Sequence, residues 1–401
     1  MLDLSLMRNV DVNVDNKTVS FQGGCLWRDV DDALWPHGLA TVGGTVSHTG
    51  VGGLILHGGF GILQGIYGLT IDVLESCEVV LADGSIVTAS EKENADLFWG
   101  LRGAGSSFGV VTQFTSKVFP QGNVWALMAA FTADKLPQLV EFLNYCEENT
   151  DGHQAAALMF THSPPSPDGA PQVPVIMAQA AHLGPDAETK GPEFFASILK
   201  IETLMKNDGV MPYPVLNKSA DENAFPPGNR YLFGGANFTF PLKVSTAESI
   251  ASQSWGFHKQ FPGTGGEGSV AMLEWFPTGK VRTVDPTSMA FNNRGNYYNV
   301  GLVWTWGDES LDTKVREYNR SAQKAIRSLG YDDATLSDGV GAYLNYTTSE
   351  ATSAESIFGS NTQRLKLLKE KYDPKNVFDK MWKISKESKA ELIAAPAAIG
   401  V

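Results

Sequence analysis

Cysteine is scarce in this chain of 401 residues: Cys25, Cys77 and Cys146 are the only three. So few, and odd in number, they exclude a disulfide framework and read as small buried hydrophobes of a reducing compartment. Positive charge is short as well. Lys and Arg number 31 against 44 Asp and Glu, a formal net charge of −13. A chain that acidic excludes nucleic acid and anionic membrane surfaces as natural partners. No apolar run reaches the roughly 18 residues that a membrane-spanning helix needs, so no membrane partner is expected. The first residues, Met1-Leu-Asp-Leu-Ser-Leu, lack a basic segment followed by an apolar one. No secretory signal is read there, and a cytoplasmic location is expected. The glycosylation-type sequons at Asn16, Asn217, Asn237, Asn319 and Asn345 then stand as chance matches. No metal site is assigned, and no internal repeat or low-complexity tract occurs.

What is present is a globular composition, 43% hydrophobic and 19% charged, with glycine at 41 residues. The length suggests two or three domains at about 150 residues each. Residues 1 to 120 are rich in glycine and β-branched residues. Val10–Val14 and Thr18–Phe21 alternate with period two and predict a hairpin; Trp27–Leu34 predicts a short helix stopped at His37-Gly38. Glu78–Ala82, Asp83-Gly84 and Ser85–Thr88 predict a second hairpin, closed by a type I′ turn. From 121 to 335, strands are expected at Val124–Phe131, Ala155–Phe160, Val173–Gln179, Tyr231–Phe240, Ser269–Phe276 and Tyr297–Trp304. Helices are expected at Lys135–Glu148, Ser245–Phe261 and Leu311–Leu329. That mixture is an α+β pattern, one sheet with helices on one face. Pro164–Pro171 reads as a loop, Gly341–Tyr346 as a strand end, and Asn361–Tyr372 as a basic amphipathic helix.

The most informative stretch is Val42–Gly61, in which eight of twenty residues are glycines, interleaved with Thr45, Ser47 and Thr49. Glycine there permits positive φ and close backbone approach, and such a loop can form an anion nest. A pyrophosphate or the edge of a flat ring suits it. A structural turn suits it equally, because no GxGxxG or Walker A motif is present. A second cluster, Phe98–Thr112, carries Arg102, read as a partner of Asp96 or of a carbonyl, or alternatively of a phosphate.

These motifs resemble the vanillyl-alcohol oxidase / berberine-bridge-type flavoproteins. Within Asp3–Pro120 the carrying stretches are Gly43–Gly53, Gly58–Gly61, Tyr67–Asp72, Leu81–Ala89, Asp96–Gly103 and Phe108–Thr112. At the far end they are Tyr343–Tyr346, Asn361–Leu365 and Lys371–Phe378. The middle matches in length and texture. The resemblance implies an α+β fold in four parts. Residues 1–120 would be the second half of a PCMH-type FAD-binding domain, N-terminally incomplete. Residues 121–335 would be an α+β substrate domain with an antiparallel sheet covered by helices. Residues 336–384 would return to the FAD domain, and 385–401 would be a tail.

The resemblance further implies an FAD between the domains. Gly44, Thr45, Val46, Ser47, Thr49, Gly50, Gly52, Gly53, Gly58 and Gly59 would line it. Gly109, Val110 and Val111 would lie near its adenosine end, and Asn376 would close over it. The chemistry implied is oxidation of a small-molecule substrate, an alcohol, amine or activated C–H, by hydride transfer to flavin N5. Tyr346 would take the accompanying proton. The small residue Thr49, at the position that admits or blocks oxygen in relatives, favours molecular oxygen as one acceptor, and the lack of a signal peptide favours secondary metabolism as the setting.

The chain departs from the family pattern in several places. The Gly-Gly-His stretch that often bonds the flavin covalently is not found, and Val46 stands where a second anchor, a Cys, would be. FAD is therefore expected to be held non-covalently. His57 replaces a small residue beside the expected ring and reads as a packed surface histidine, or alternatively as a catalytic participant. A Gln of the family is replaced around Trp382. Two other functions fit the same motifs: a redox-neutral cyclase or isomerase, and a flavin-free remnant.

Overall fold

The computed structural model describes residues 2–164, 172–219, 228–329, 343–346, 354–380 and 384. The first 120 residues supply seven strands: β1 (Val10–Asn13), β2 (Thr18–Gln22), β3 (Leu39–Ala40), β4 (Leu74–Val80), β5 (Ile86–Ser90), β6 (Val110–Lys117) and β7 (Phe119–Pro120). Five of them form one antiparallel sheet in the order β1-β2-β6-β4-β5, and β3 pairs with β7. The alternation of Thr18–Gln22 puts Val19 and Phe21 inward, where Phe21 stacks on Phe114 of β6. The helix Trp27–Leu34 lies where the spacing predicts it, with Trp27, Val30 and Leu34 buried.

The β4–β5 hairpin forms, but its turn is not type I′. Only Gly84 is left-handed, at φ 85°. The Asp83 carboxylate accepts from Ser85 N (2.9 Å) and Ser85 Oγ (2.6 Å), which holds Asp83 in the ordinary region. One left-handed glycine then closes the longer loop.

The remaining strands are β8 (Val124–Thr132), β9 (Gln154–His162), β10 (Pro174–His182), β11 (Met205–Met211), β12 (Arg230–Phe238), β13 (Val270–Trp275) and β14 (Tyr298–Trp306). They form a second sheet in the order β11-β8-β10-β9-β13-β14-β12, antiparallel throughout. The helices Leu136–Asn149, Val244–Gln260 and Asp312–Arg327 bury Leu139, Phe142, Ile250, Phe257, Val315 and Ile326 against one face of it, over Leu158, Leu273 and Trp304. β11 escapes the sequence pattern. Met205-Lys-Asn-Asp-Gly-Val-Met211 is polar and mostly exposed, as a charged edge strand is.

A second core gathers residues of 19–118 with Val281, Met289, Phe291 and Tyr297 and with Tyr343, Leu344, Phe358 and Leu365. The stretch around 281–297, within the expected middle unit, thus packs against the first sheet's layer. Cys25, Cys77 and Cys146 are free and buried. Gly341 and Ala342, residues 165–171, Trp382 and the tail from 385 lie outside the described residues. Leu344–Tyr346 is not a strand end. It is one 3-10 turn, closed by Tyr346 N donating to Tyr343 O at 3.0 Å. Among the described residues no helix is long and apolar enough to cross a membrane, and no His, Cys, Asp and Glu cluster could hold a metal.

Asp31 fastens the helix Trp27–Leu34 to the helix Tyr213–Lys218. It is 3% exposed and accepts from Asn217 Nδ2 at 2.8 Å. Burial, only partly offset by that bond, pushes its carboxyl from the usual 3.8 to about 7. The native state therefore holds the proton more tightly than the unfolded chain. The associated stability is full below about pH 4 and declines by about 1.4 kcal/mol per pH unit as pH rises toward 7. Melting at pH 5 and pH 8 is expected to show the protein less stable at pH 8. Asp31→Asn is expected to flatten that difference by on the order of 2 kcal/mol.

Candidate active site

The glycine loop divides into two classes. At Gly58, with φ 109°, a Cβ would meet the Phe291 ring at 2.5 Å, and at Gly59, with φ 75°, it would overlap the Thr70 side chain. At Gly44 a Cβ would meet the Trp27 ring at 2.9 Å, and at Gly109 it would meet Val79 Cγ1 at 2.6 Å. These four are glycines because protein atoms crowd them. Gly50 and Gly53 differ, with nothing within 4 Å of the Cβ position, and at Gly52 only the Gly23 carbonyl comes near, at 3.5 Å. Backbone from Gly50 to Gly53 therefore borders open space with no side chain in the way. This is the bare surface that a flat ring or a pyrophosphate requires. At the foot of the loop Trp27 Nε1 is a buried donor without a partner among the described residues. The residues present thus fit a dinucleotide cofactor along Gly50–Gly53.

The other loop positions are more constrained. Ser47 is fully buried, and its backbone N–H donates to Asn217 O while its carbonyl accepts from Arg28 N. Thr49 is half-buried and bonds Val46 O through its N–H and Trp27 N through its carbonyl. Thr45 and Val46 are half-buried beside them. Val111 turns into the core, while Val110 is half-buried on β6 opposite Val80. Asn376 is exposed and left-handed (φ 54°), in a turn built around the Asp373 carboxylate. That carboxylate also holds Lys369 Nζ at 2.7 Å, which in turn donates to Ser107 O at 2.7 Å. Asn376 thus serves the turn with its backbone, and the turn is tied to the segment beside His57.

His57 is not a surface residue. It is 4% exposed, with Nε2 at 3.0 Å from Ser106 Oγ. Burial holds its pKa below the ordinary value and favours the neutral ring, against the opposing effect of its hydrogen bonds to Asn345 and Gly53. Arg102 is not paired with Asp96, whose carboxylate is taken by Lys371 (2.5 Å) and Tyr372 (2.6 Å). It does reach a carbonyl, Nη2 donating to Ser288 O at 3.5 Å, and its guanidinium lies over the Phe98 ring at 4.3 Å and reaches Glu91 at 3.9 Å.

The loop and the second sheet meet at the 3-10 turn. Tyr343 OH accepts from Phe60 N at 3.1 Å and from Asn345 Nδ2 at 2.8 Å, while Asn345 Nδ2 also reaches Leu54 O at 3.2 Å. This pins the turn to the glycine loop and projects Tyr346 onto the sheet. There its Cβ and backbone sit over Gly235 of β12, where an added Cβ would meet Tyr346 Cβ at 3.0 Å, and its ring edge lies over Gly301 of β14, where an added Cβ would meet Met272 Cε at 2.7 Å. Tyr346 OH donates to Glu274 Oε1 at 2.8 Å. Glu274, on β13, is 6% exposed, and its other oxygen has no partner among the described residues. Burial, only partly offset by the Tyr346 bond, raises its carboxyl to about 7. Burial and the nearby Glu274 push Tyr346 well above the usual phenol value.

Sequence motifs found Tyr346 but not Glu274. The carboxylate lies 72 residues away, inside a stretch legible only as a strand. One signal was available: a lone acidic residue in the apolar run Ala271-Met-Leu-Glu-Trp-Phe276.

The open backbone also yields a test. Gly53→Val places its side chain into free space, so thermal stability of the FAD-free protein is expected to be retained. FAD affinity, read by titration of flavin fluorescence, is expected to fall by at least about tenfold, about 1.4 kcal/mol.

Comparison with known proteins follows the same lines. Residues 1–90 match the FAD binding domain profile, and residues 342–381 match the berberine and berberine-like profile. An FAD-linked oxidoreductase of Aspergillus terreus, pgmH, is 33% identical over 96% of this chain and 78% of its own. Among solved structures, 6-hydroxy-D-nicotine oxidase of Arthrobacter nicotinovorans superposes with a TM-score of 0.78 at 24% identity, over 96% of this chain and 82% of that one. The berberine-bridge-like protein 1 of Physcomitrella patens also gives 0.78, at 21% identity over 96% and 81%. With the cradle, the PCMH-type α+β architecture and these relatives in agreement, the chain belongs to the berberine-bridge-like family of FAD-linked oxidoreductases.

Proposed function

We propose that this oxidoreductase oxidises a small organic molecule at an alcohol or activated C–H, and that Glu274 receives the accompanying proton through Tyr346. FAD, held non-covalently along Gly50–Gly53, supplies when bound the hydride acceptor at N5. The observation that carries the reading is the 2.8 Å bond from Tyr346 OH to a buried carboxylate poised near neutrality. A phenol alone is a poor base at pH 7, since its proton leaves only near pH 10. Coupled to Glu274, Tyr346 takes a substrate proton as it passes its own hydroxyl proton to the carboxylate. Glu274 then ends protonated, the state its burial favours. Gly235 and Gly301 leave room for Tyr346 against the sheet, and the Tyr343–Phe60 and Asn345–Leu54 bonds fix the turn that carries it. Neutral His57 adds a polar, uncharged wall beside the loop.

Oxygen is the proposed acceptor, with the small half-buried Thr49 beside the cradle. The test is anaerobic. FAD-loaded protein mixed with substrate is expected to bleach its flavin absorbance and to recover on admission of air. Turnover without bleaching would overturn the redox reading in favour of acid–base work by the same pair.

A further inference from the structure

The face of the second sheet away from its helices carries two rows of side chains that run across the strands in register. In one row, Met177 of β10 pairs with Met159 of β9, Met159 pairs with Met272 of β13, and Met272 pairs with Gly301 of β14. Two residues along each strand lies the second row. Gln179 is opposite Ala157, Ala157 opposite Glu274, Glu274 opposite Asn299, and Asn299 opposite Asn237. Residues paired in register and spaced by two point to the same side of a sheet. The helix-covered side holds the intervening Leu158, Ala178, Leu273 and Val300. Met159, Met177 and Met272 are half-buried. A Cβ at Gly301 would meet both Met272 Cε, at 2.7 Å, and Tyr346 Cε2, at 3.7 Å, so the methionine row and the Tyr346–Glu274 pair share one site.

Three methionines on adjacent strands make a platform about 10 Å across, at about 4.8 Å per strand. Thioethers are apolar, polarizable and adaptable, and they make favourable contacts with ring faces and edges. They donate no hydrogen bond and accept only weakly. The polar row, about 7 Å away along the strands, is the reverse. Within it, Glu274 Oε2 and Asn299 Oδ1 are buried acceptors without partners among the described residues. A carbohydrate, with hydroxyls around its rim, would leave several unsatisfied over the methionines. A flat fused ring with hydroxyls along one edge satisfies both rows at once.

We propose that the substrate is a planar hydroxylated polycycle of two or three fused rings. Its ring face lies on Met177, Met159 and Met272, and its hydroxyl edge lies on Glu274 and Asn299. This specifies the substrate of the proposed oxidation and rests on that reading for the identity of the reacting site.

Binding to the FAD-loaded protein tests it without turnover, by perturbation of the flavin spectrum or by equilibrium dialysis. The probes are 2-naphthol, 2,7-dihydroxynaphthalene, D-glucose and cellobiose. The naphthols are expected to bind, and to bind at least about tenfold more tightly than either sugar. The double variant Met159→Gln, Met177→Gln is expected to lose that preference, with flavin content unchanged. Met159→Leu, Met177→Leu is expected to keep most of it, which separates loss of the apolar platform from loss of the fold. Sugar binding or oxidation with no binding of either naphthol would overturn the proposal while leaving the oxidation itself standing. Naphthol binding with no flavin bleaching by any substrate would overturn the oxidation reading instead, and would support the platform.

Discussion

Glu274→Gln is expected to slow anaerobic flavin reduction by about 100-fold or more, the usual scale for removing a positioned acid–base group. The amide keeps the size of the side chain and can still accept from Tyr346 OH, so FAD content and melting temperature should change little. What it cannot do is take the proton. The unmodified protein should also show a rate that rises with pH through about 7, as the Glu274 carboxyl ionises. In Glu274→Gln that limb should vanish, because Tyr346, pushed well above its usual value, does not titrate in the range. Tyr346→Phe should be slowed by about tenfold to 100-fold, with the pH limb retained, since the carboxylate remains while the relay is gone. A Glu274→Gln protein that keeps both its rate and its pH limb would show that the proton goes elsewhere. Stopped-flow reduction at five or six pH values reads both quantities.

The second large effect concerns stability. Arg294 and Asp72 form a two-pronged ion pair, Nη1 to Oδ2 at 2.8 Å and Nη2 to Oδ1 at 2.7 Å, with side chains 3% and 7% exposed. The pair joins the stretch around 281–297 to the layer of the first sheet, and Asp72 also accepts from Leu69 N at 2.8 Å. Arg294→Ala strands a buried carboxylate and is expected to cost about 3–5 kcal/mol. At about 2.1 cal/mol/K of unfolding entropy per residue, a chain of 401 residues shifts by about 1.2 °C per kcal/mol, so the melting point is lower by roughly 5 °C. Arg294→Met combined with Asp72→Asn should recover part of the loss, because no charge is then left uncompensated. If the single and the double variant melt alike, the pair contributes as packing rather than as charge. Calorimetry on the three proteins decides it.

Much of the layout was legible because local rules and global fold agree. Val10–Asn13 and Thr18–Gln22 alternate, and they are strands. Trp27–Leu34 repeats its apolar residues at helical spacing, and it is a helix. The glycine loop and the Tyr343–Tyr346 motif were legible too, the first from composition and the second from resemblance. What was not legible depends on partners far along the chain. Gly58 and Gly59 look like cradle glycines, yet Phe291 and Thr70 already crowd them, while open backbone lies at Gly50 and Gly53. His57 looks like a surface residue because nothing local buries it; Ser106 lies 49 residues away. Asp83 was expected to be left-handed from its glycine neighbour, but its own carboxylate, bonded to Ser85, sets its backbone. β11 has no alternation to read, since an edge strand with both faces wet needs none. Glu274 gains its meaning only from strand register, which places it opposite Asn299 and under Tyr346.

The contacts between the two ends of the chain bear on how the protein is made. Phe60 N meets Tyr343 OH across 283 residues, and Asp96 meets Lys371 across 275. All seven strands of the second sheet lie between Val124 and Trp306, so that sheet is complete on the nascent chain before the segment that closes the first sheet's core has emerged. At about 5–20 residues per second, the closing segment emerges on the order of several seconds later. During that interval the ribosome carries a finished middle and an unclosed beginning, and the glycine loop waits for the hydroxyl of Tyr343. The cradle is thus built after the second sheet, and a flavin has a finished place to bind only once the Tyr343–Tyr346 turn has docked.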